Sequence, residues 1–247
     1  MSKKKIALLP GWGMDSSVWN PILPLLNEYF EIIFCDWNGI TNMEEYRLRV
    51  YELIEKEPGE IWIMGWSLGS LLAVDAAYKY QDRVESLILL SGTSRFTRDK
   101  RTGYLCGWPE SVLEKMKAAM KNDVKKTMTS FCRSMFCSEE MEMDSYESFI
   151  NSIDIYKPTC LPELETGLNF LKETDVRSLL EHISIPFLVI HGEKDTICPV
   201  DASRYIKDRV KGKTVLNIVK GAGHIPFYTH TAEFKRLINM FIVKGAT

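Results

Sequence analysis

The sequence predicts an α/β fold, a mostly parallel sheet with helices on both faces and one helical insertion. Three observations lead there. Six short apolar runs recur along the 247 residues with helical patterns between them, and such alternation is how parallel strands are connected. The alternation breaks once, between Leu90 and Phe187, where almost no strand-like run occurs. One apolar run also passes straight into Gly65-Trp66-Ser67-Leu68-Gly69, and a helix of small residues follows at once.

In chain order, residues 5–9 form the first strand, closed by Pro10-Gly11. A helical pattern over 18–28 leads to a second strand at 31–35. A helix over 43–56 leads to a third strand at 61–64, and residues 68–80 carry the pattern of a buried helix. The fourth strand is 86–90. Residues from about 95 to 180 then read as helices and loops, 111–126 and 128–135 among them, punctuated by Pro158, Pro162 and Gly167. Strands at 187–191 and 214–219, each followed by a helix (202–210 and 232–241), complete the sheet. The expected organisation is a core of residues 1–94 and 181–247 with a helical lid of 95–180, at the sheet edge where ligands of open α/β folds bind.

Bulk properties exclude several classes. A formal net charge of -2 offers nothing for nucleic acid or an anionic membrane. Six scattered cysteines form no Cys-x-x-Cys pair and have no histidines at zinc spacing. The apolar run after Met1-Ser2-Lys3-Lys4-Lys5 is too short for a signal peptide, and no run reaches a membrane span of about 20 residues. A soluble, cytoplasmic, monomeric enzyme without metal or cofactor is expected.

The Gly65–Gly69 stretch has the form of a nucleophile elbow. A serine on a sharp strand-to-helix turn needs nearly side-chain-free residues two before and two after it. The helix N-terminus beneath suits a developing oxyanion. A base and an acid should follow in the chain order serine, acid, histidine. Of four histidines, His224 sits in a glycine loop after the last strand and is the expected base. His191 reads as structural, His182 as a lid or linker residue and His230 as a helix-start residue. Asp195 follows the preceding strand and is the expected acid, with Glu193 as fallback. Asp201 reads as a residue of a helix start. The oxyanion hole is expected from the backbone N–H groups of Leu68 and of Trp12, whose loop has a glycine on either side. Strand-loop glycines, elbow, aspartate and histidine in this order predict a serine hydrolase of the α/β-hydrolase fold.

Two features of the insertion stay open. Residues 95–133 hold ten bases against four acids, either a solvated face or a docking patch for an acidic partner. Six methionines there, Met116 to Met143, suit either an adaptable apolar pocket or plain core.

The chain resembles the pimeloyl-acyl-carrier-protein methyl ester carboxylesterases of biotin synthesis. The likeness runs through Gly11-Trp12-Gly13 with Val18-Trp19, the elbow with Trp66 before its serine, the stretch around Phe131, residues 167–177, Ile185-Pro186-Phe187-Leu188, and Ala222-Gly223-His224-Ile225-Pro226-Phe227. The resemblance implies as substrate a pimeloyl methyl ester on an acyl-carrier protein, hydrolysed to the carboxylate and methanol. It implies substrate contacts from Trp12, Ser67, Leu68, Phe131, Cys132, Arg133, Ser134, Met135 and His224, and carrier contacts from basic lid residues such as Lys126. Two positions depart from the family pattern: Pro10 stands where a histidine is usual, and Ser130 where a lid arginine is expected. A generalist carboxylesterase, lactonase or thioesterase with the same three residues remains an alternative, as does a hydrolase-fold receptor for a small ligand.

Overall fold

The computed structural model describes residues 3–143, 145–153 and 160–243. The insertion expected over 95–180 includes 144 and 154–159, with Pro158, and these lie outside the described residues, as do 1–2 and 244–247 of the expected core.

Six strands form one sheet in the order β2-β1-β3-β4-β5-β6, and every neighbouring pair is parallel. They are β1 Lys4–Leu9, β2 Phe30–Phe34, β3 Ile61–Trp66, β4 Val84–Leu90, β5 Phe187–Gly192 and β6 Thr214–Val219. All six residues of β3 and of β5 are buried. A strand covered on both faces needs a continuous apolar run rather than alternation, which is why these strands stand out in the sequence.

Between β1 and β2 the expected single helix is instead a 3₁₀ turn, Ser16–Trp19, and a short α1, Leu23–Tyr29. Pro21 and Pro24 explain the break, because proline removes a donor and disfavours helix in the residue before it. Helix α2, Met43–Lys56, begins at Asn42, whose side chain accepts the Glu44 N–H. Helix α3, Leu68–Lys79, is buried along most of its length, so it is apolar nearly all round.

Between β4 and β5 lie α4 (Glu110–Asn122), α5 (Val124–Ser134), α6 (Ser138–Glu142), α7 (Ser145–Ser152) and α8 (Leu161–Glu173), with no sheet strand among the described residues. The pattern read as one helix over 111–126 breaks at Asp123. Its backbone is extended and its carboxylate accepts the Lys126 N–H at 2.9 Å, capping α5. The two ends of the segment meet: Arg95 bridges Asp175 in antiparallel fashion, and the Val176 N–H donates to Ser94 O at 2.9 Å. Helix α9, Val200–Lys207, follows β5, with Asp201 in its first turn. After β6 come α10, Pro226–Thr229, and α11, Thr231–Val243, and His230 is the joint between them.

The chain runs one way from β1 to β2 and the other way from β3 onward. That switch puts the loops after β1 and β3 side by side at the sheet's C-terminal edge, where open α/β sheets take ligands. The loops after β5 and β6 are likewise neighbours.

Candidate active site

Ser67 stands between β3 and α3 with φ 53° and ψ -114°, a conformation that costs a non-glycine residue of order 1–3 kcal/mol. Packing holds it there. A Cβ at Gly65 would overlap the Gly69 carbonyl, and one at Gly69 would overlap the Leu9 carbonyl. The Ser67 N–H donates to Leu90 O at 3.1 Å, and the Ser70 N–H to Ser67 O at 2.9 Å. Leu68 opens α3, whose first-turn N–H groups lack intrahelical acceptors.

Asp195 and His224 meet after adjacent strands. His224 Nδ1 lies 2.8 Å from Asp195 Oδ2. A carboxylate only accepts, so Nδ1 carries the hydrogen and Nε2 presents a lone pair. His224 Nε2 is buried with no hydrogen-bond partner. Asp195 Oδ1 accepts the N–H groups of Ile197 and Cys198 at 2.8 and 2.9 Å. Burial opposes the charge of Asp195, but His224 and His191, by charge and by hydrogen bond, outweigh it and hold the carboxyl well below the usual range. Glu193, the fallback acid, instead accepts the Gly221 N–H at 3.1 Å.

Sequence reasoning missed three supports of this pair. His191, read as structural, is fully buried and does bond Ser203 Oγ at 2.6 Å. Its Nε2 donates to Cys198 O at 2.7 Å and also lies 3.1 Å from Asp195 Oδ2, so the acid sits between two histidines. The spacing His191-x-x-x-Asp195 was the available signal. Trp66 donates its indole N–H to His224 O at 3.1 Å, and the two rings are 5.5 Å apart. Cys198 is buried beside Ser67. Burial first, and then the Asp195 charge, push that thiol well above its usual range. It is therefore a neutral neighbour of the serine and no competing thiolate.

The Trp12 indole is locked in place. Its Nε1 donates to Leu164 O at 2.9 Å, and its ring meets Phe131 edge-to-face at 4.9 Å. Gly167 makes room for it, since a Cβ there would overlap the indole. Pro10 offers its carbonyl to the Trp37 indole N–H at 3.0 Å.

A cavity of about 620 Å³ opens between α4, α5 and the 96–108 loop. Phe131, Ser134, Ser130, Met116 and Ile197 line it, with Asp123 and Lys126 also on its wall. Ser67, Trp12 and Leu68 are not in that lining; Phe131 touches both the cavity and Trp12. Cys132 is fully buried in α5 with its thiol pushed up to about 12 by burial, and it does not line the cavity. Arg133 faces an outer groove with Lys125 and Lys126. Met135 is buried and gives its carbonyl to the His224 N–H at 2.7 Å. Of the methionines, Met120, Met128 and Met135 are core, and Met116 is pocket. Among the described residues, no three His, Cys, Asp or Glu cluster so as to hold a metal ion. No described helix is long and apolar enough to cross a membrane.

A family model described as alpha/beta hydrolase fold matches residues 50–231. The pimeloyl-[acyl-carrier protein] methyl ester esterase of Wigglesworthia glossinidia brevipalpis is 30% identical, over 97% of this chain and 93% of that protein. The chain belongs to the pimeloyl-[acyl-carrier protein] methyl ester esterase family of alpha/beta hydrolases. The protein of the same name from Photobacterium profundum is 27% identical over 96% of this chain and 94% of its own length. Among solved structures, bromoperoxidase from Bacillus anthracis matches with a TM-score of 0.88 at 20% identity, covering 98% of this chain and 92% of that one. That likeness carries the fold alone. The family makes the chain a carboxylic ester hydrolase.

Proposed function

We propose that this chain hydrolyses the methyl ester of a pimeloyl chain held on an acyl-carrier protein, through an acyl-enzyme on Ser67. The observation that carries the chemistry is the buried Asp195–His224 pair with a partnerless His224 Nε2; the relatives' shared name carries the substrate. Ser67 Oγ bonds to the ester carbonyl carbon while His224 Nε2 takes its proton and Asp195 holds the imidazolium. The backbone N–H groups of Trp12 and Leu68 receive the oxyanion. The bond to methoxide then breaks, and His224 returns the proton to release methanol. Water, activated by the same nitrogen, frees the acid and Ser67.

The insertion 95–180 acts in this reading as a lid over the acyl path, with Phe131 between the apolar cavity and Trp12. The outer groove of α5, lined by Lys125, Lys126 and Arg133, receives the acidic carrier. Much of the remaining positive charge is spent at home: Arg95 pairs with Asp175, Lys117 with Glu114 and Lys121 with Glu165. The docking patch is thus narrower than ten bases suggest, and Ser130 leaves a gap in it. A cytoplasmic location belongs to the same reading, consistent with six free cysteines.

Complementation tests it. Wild type should rescue growth of a biotin-requiring strain lacking this esterase, and S67A should not. In vitro, S67A should lose roughly 10⁴-fold or more in turnover of a short p-nitrophenyl ester. Absence of rescue by well-expressed wild type, with ester turnover intact, would remove the carrier-bound substrate and leave the serine esterase.

A further inference from the structure

Glu140 is fully buried in α6, and no lysine or arginine pairs with it among the described residues. A carboxylate so placed costs several kcal/mol in desolvation unless donors surround it. Its Oε2 accepts the Cys137 N–H at 2.9 Å and the Gly223 N–H at 3.1 Å. Its Oε1 accepts the Thr229 hydroxyl at 2.5 Å, with His230 Nδ1 at 3.6 Å. The Cys137 bond caps α6. The other two leave the helix for residues on either side of His224.

Neighbouring bonds run the same way. Met135 O takes the His224 N–H at 2.7 Å, and the Cys137 thiol donates to Gly221 O at 3.0 Å. Thr196 Oγ1 donates to Ser134 O at 3.2 Å, and Lys194 pairs with Glu139. Residues 134–140 therefore tie together both loops that carry Asp195 and His224. Gly223 is shaped to the contact: a Cβ there would overlap Met135 O and stand 2.8 Å from Glu140 Oε2.

We propose that Glu140 is a positioning residue for His224, its carboxylate setting where the loop of the base sits and so coupling the insertion to the chemistry. This rests on His224 being the base. The carboxylate touches neither Ser67 nor, among the described contacts, the imidazole; it acts through the backbone of Gly223 and the side chain of Thr229.

The test compares E140A and E140Q with wild type on a p-nitrophenyl ester, each rate divided by the folded fraction from near-ultraviolet circular dichroism. A displaced base slows chemistry without weakening substrate binding. E140A should lose about 10–100-fold in kcat, with KM within about twofold. E140Q keeps an oxygen for the two N–H donors, so it should stay within about threefold of wild type. If E140A does not fold, T229V, which removes the hydroxyl that Glu140 Oε1 accepts, should lose kcat with KM within about twofold. Normal kcat in E140A, a loss that vanishes on correction for folded protein, a change in KM alone, or an E140Q as poor as E140A each overturn the proposal. H224A is the control for the underlying reading. Full activity in H224A would overturn base and positioning role together, whereas an inactive H224A beside a normal E140A overturns only the role of Glu140.

Discussion

At the scale of single residues, both carboxylate oxygens of Asp195 are held. Three donors bond to its two oxygens, and His191 Nε2 lies 3.1 Å from Oδ2. Asparagine has one acceptor oxygen and one amide donor, so D195N cannot satisfy them all. If its oxygen stays with Ile197 and Cys198, its amide faces His224 Nδ1, which must then accept. The imidazole hydrogen moves to Nε2 and the base is lost. D195N should therefore lose about 10⁴-fold in kcat, read from steady-state ester hydrolysis. Trp66 acts more gently. W66F removes the donor to His224 O and leaves a small void, which should cost about 1–3 kcal/mol in stability by urea unfolding.

At the scale of elements, the roots of the insertion are held by charge. Arg177 reaches Asp99 at 3.0 Å and Asp175 at 2.6 Å, and Arg95 reaches Asp175 at 2.8 Å. The Asp99 carboxyl is lowered from 3.8 to about 2, chiefly by the Thr102 hydroxyl, with Arg177 also lowering it against burial. A depressed carboxyl stabilises the fold above its unfolded pKa and gives that up as pH falls through its folded one. The melting-temperature gap between wild type and D99N should thus be full near neutral pH. It should close as pH falls from about 4 towards 2, as followed by thermal melts across that range. Helix α5 shows how one short element serves two surfaces. Met128 and Cys132 are buried beneath it, Ser130 and Phe131 meet the cavity, and Lys125, Lys126 and Arg133 meet the outer groove.

At the scale of the whole molecule, the outer groove makes the proposed carrier docking electrostatic. K126E should lower kcat/KM for the carrier-bound ester by about tenfold more than for a free short ester. Raising salt from about 0.05 to 0.5 M should erode the wild-type preference for the carrier, because exposed charges are screened over a shorter Debye length. The sheet, the sharp turn at Ser67 and the meeting of Asp195 with His224 could all be read along the chain. Buried parallel strands need unbroken apolar runs, and a sharp strand-to-helix turn needs glycines at set offsets, so these demands are local and leave a mark in the sequence. The break at Asp123 and the 3₁₀ turn before Pro21 were harder to read, because capping and proline act over only two or three residues within a longer helical pattern. The spacing of His191 and Asp195 left a faint local mark; the placement of Trp66 on the His224 carbonyl and of Glu140 on the Gly223 N–H left none. Those contacts join residues as much as 158 positions apart and depend on how loops from different strands meet at one sheet edge. Local spacing announced the turn at Ser67 and the order of its candidate partners; the geometry that holds Asp195 against His224 exists only once the chain has packed.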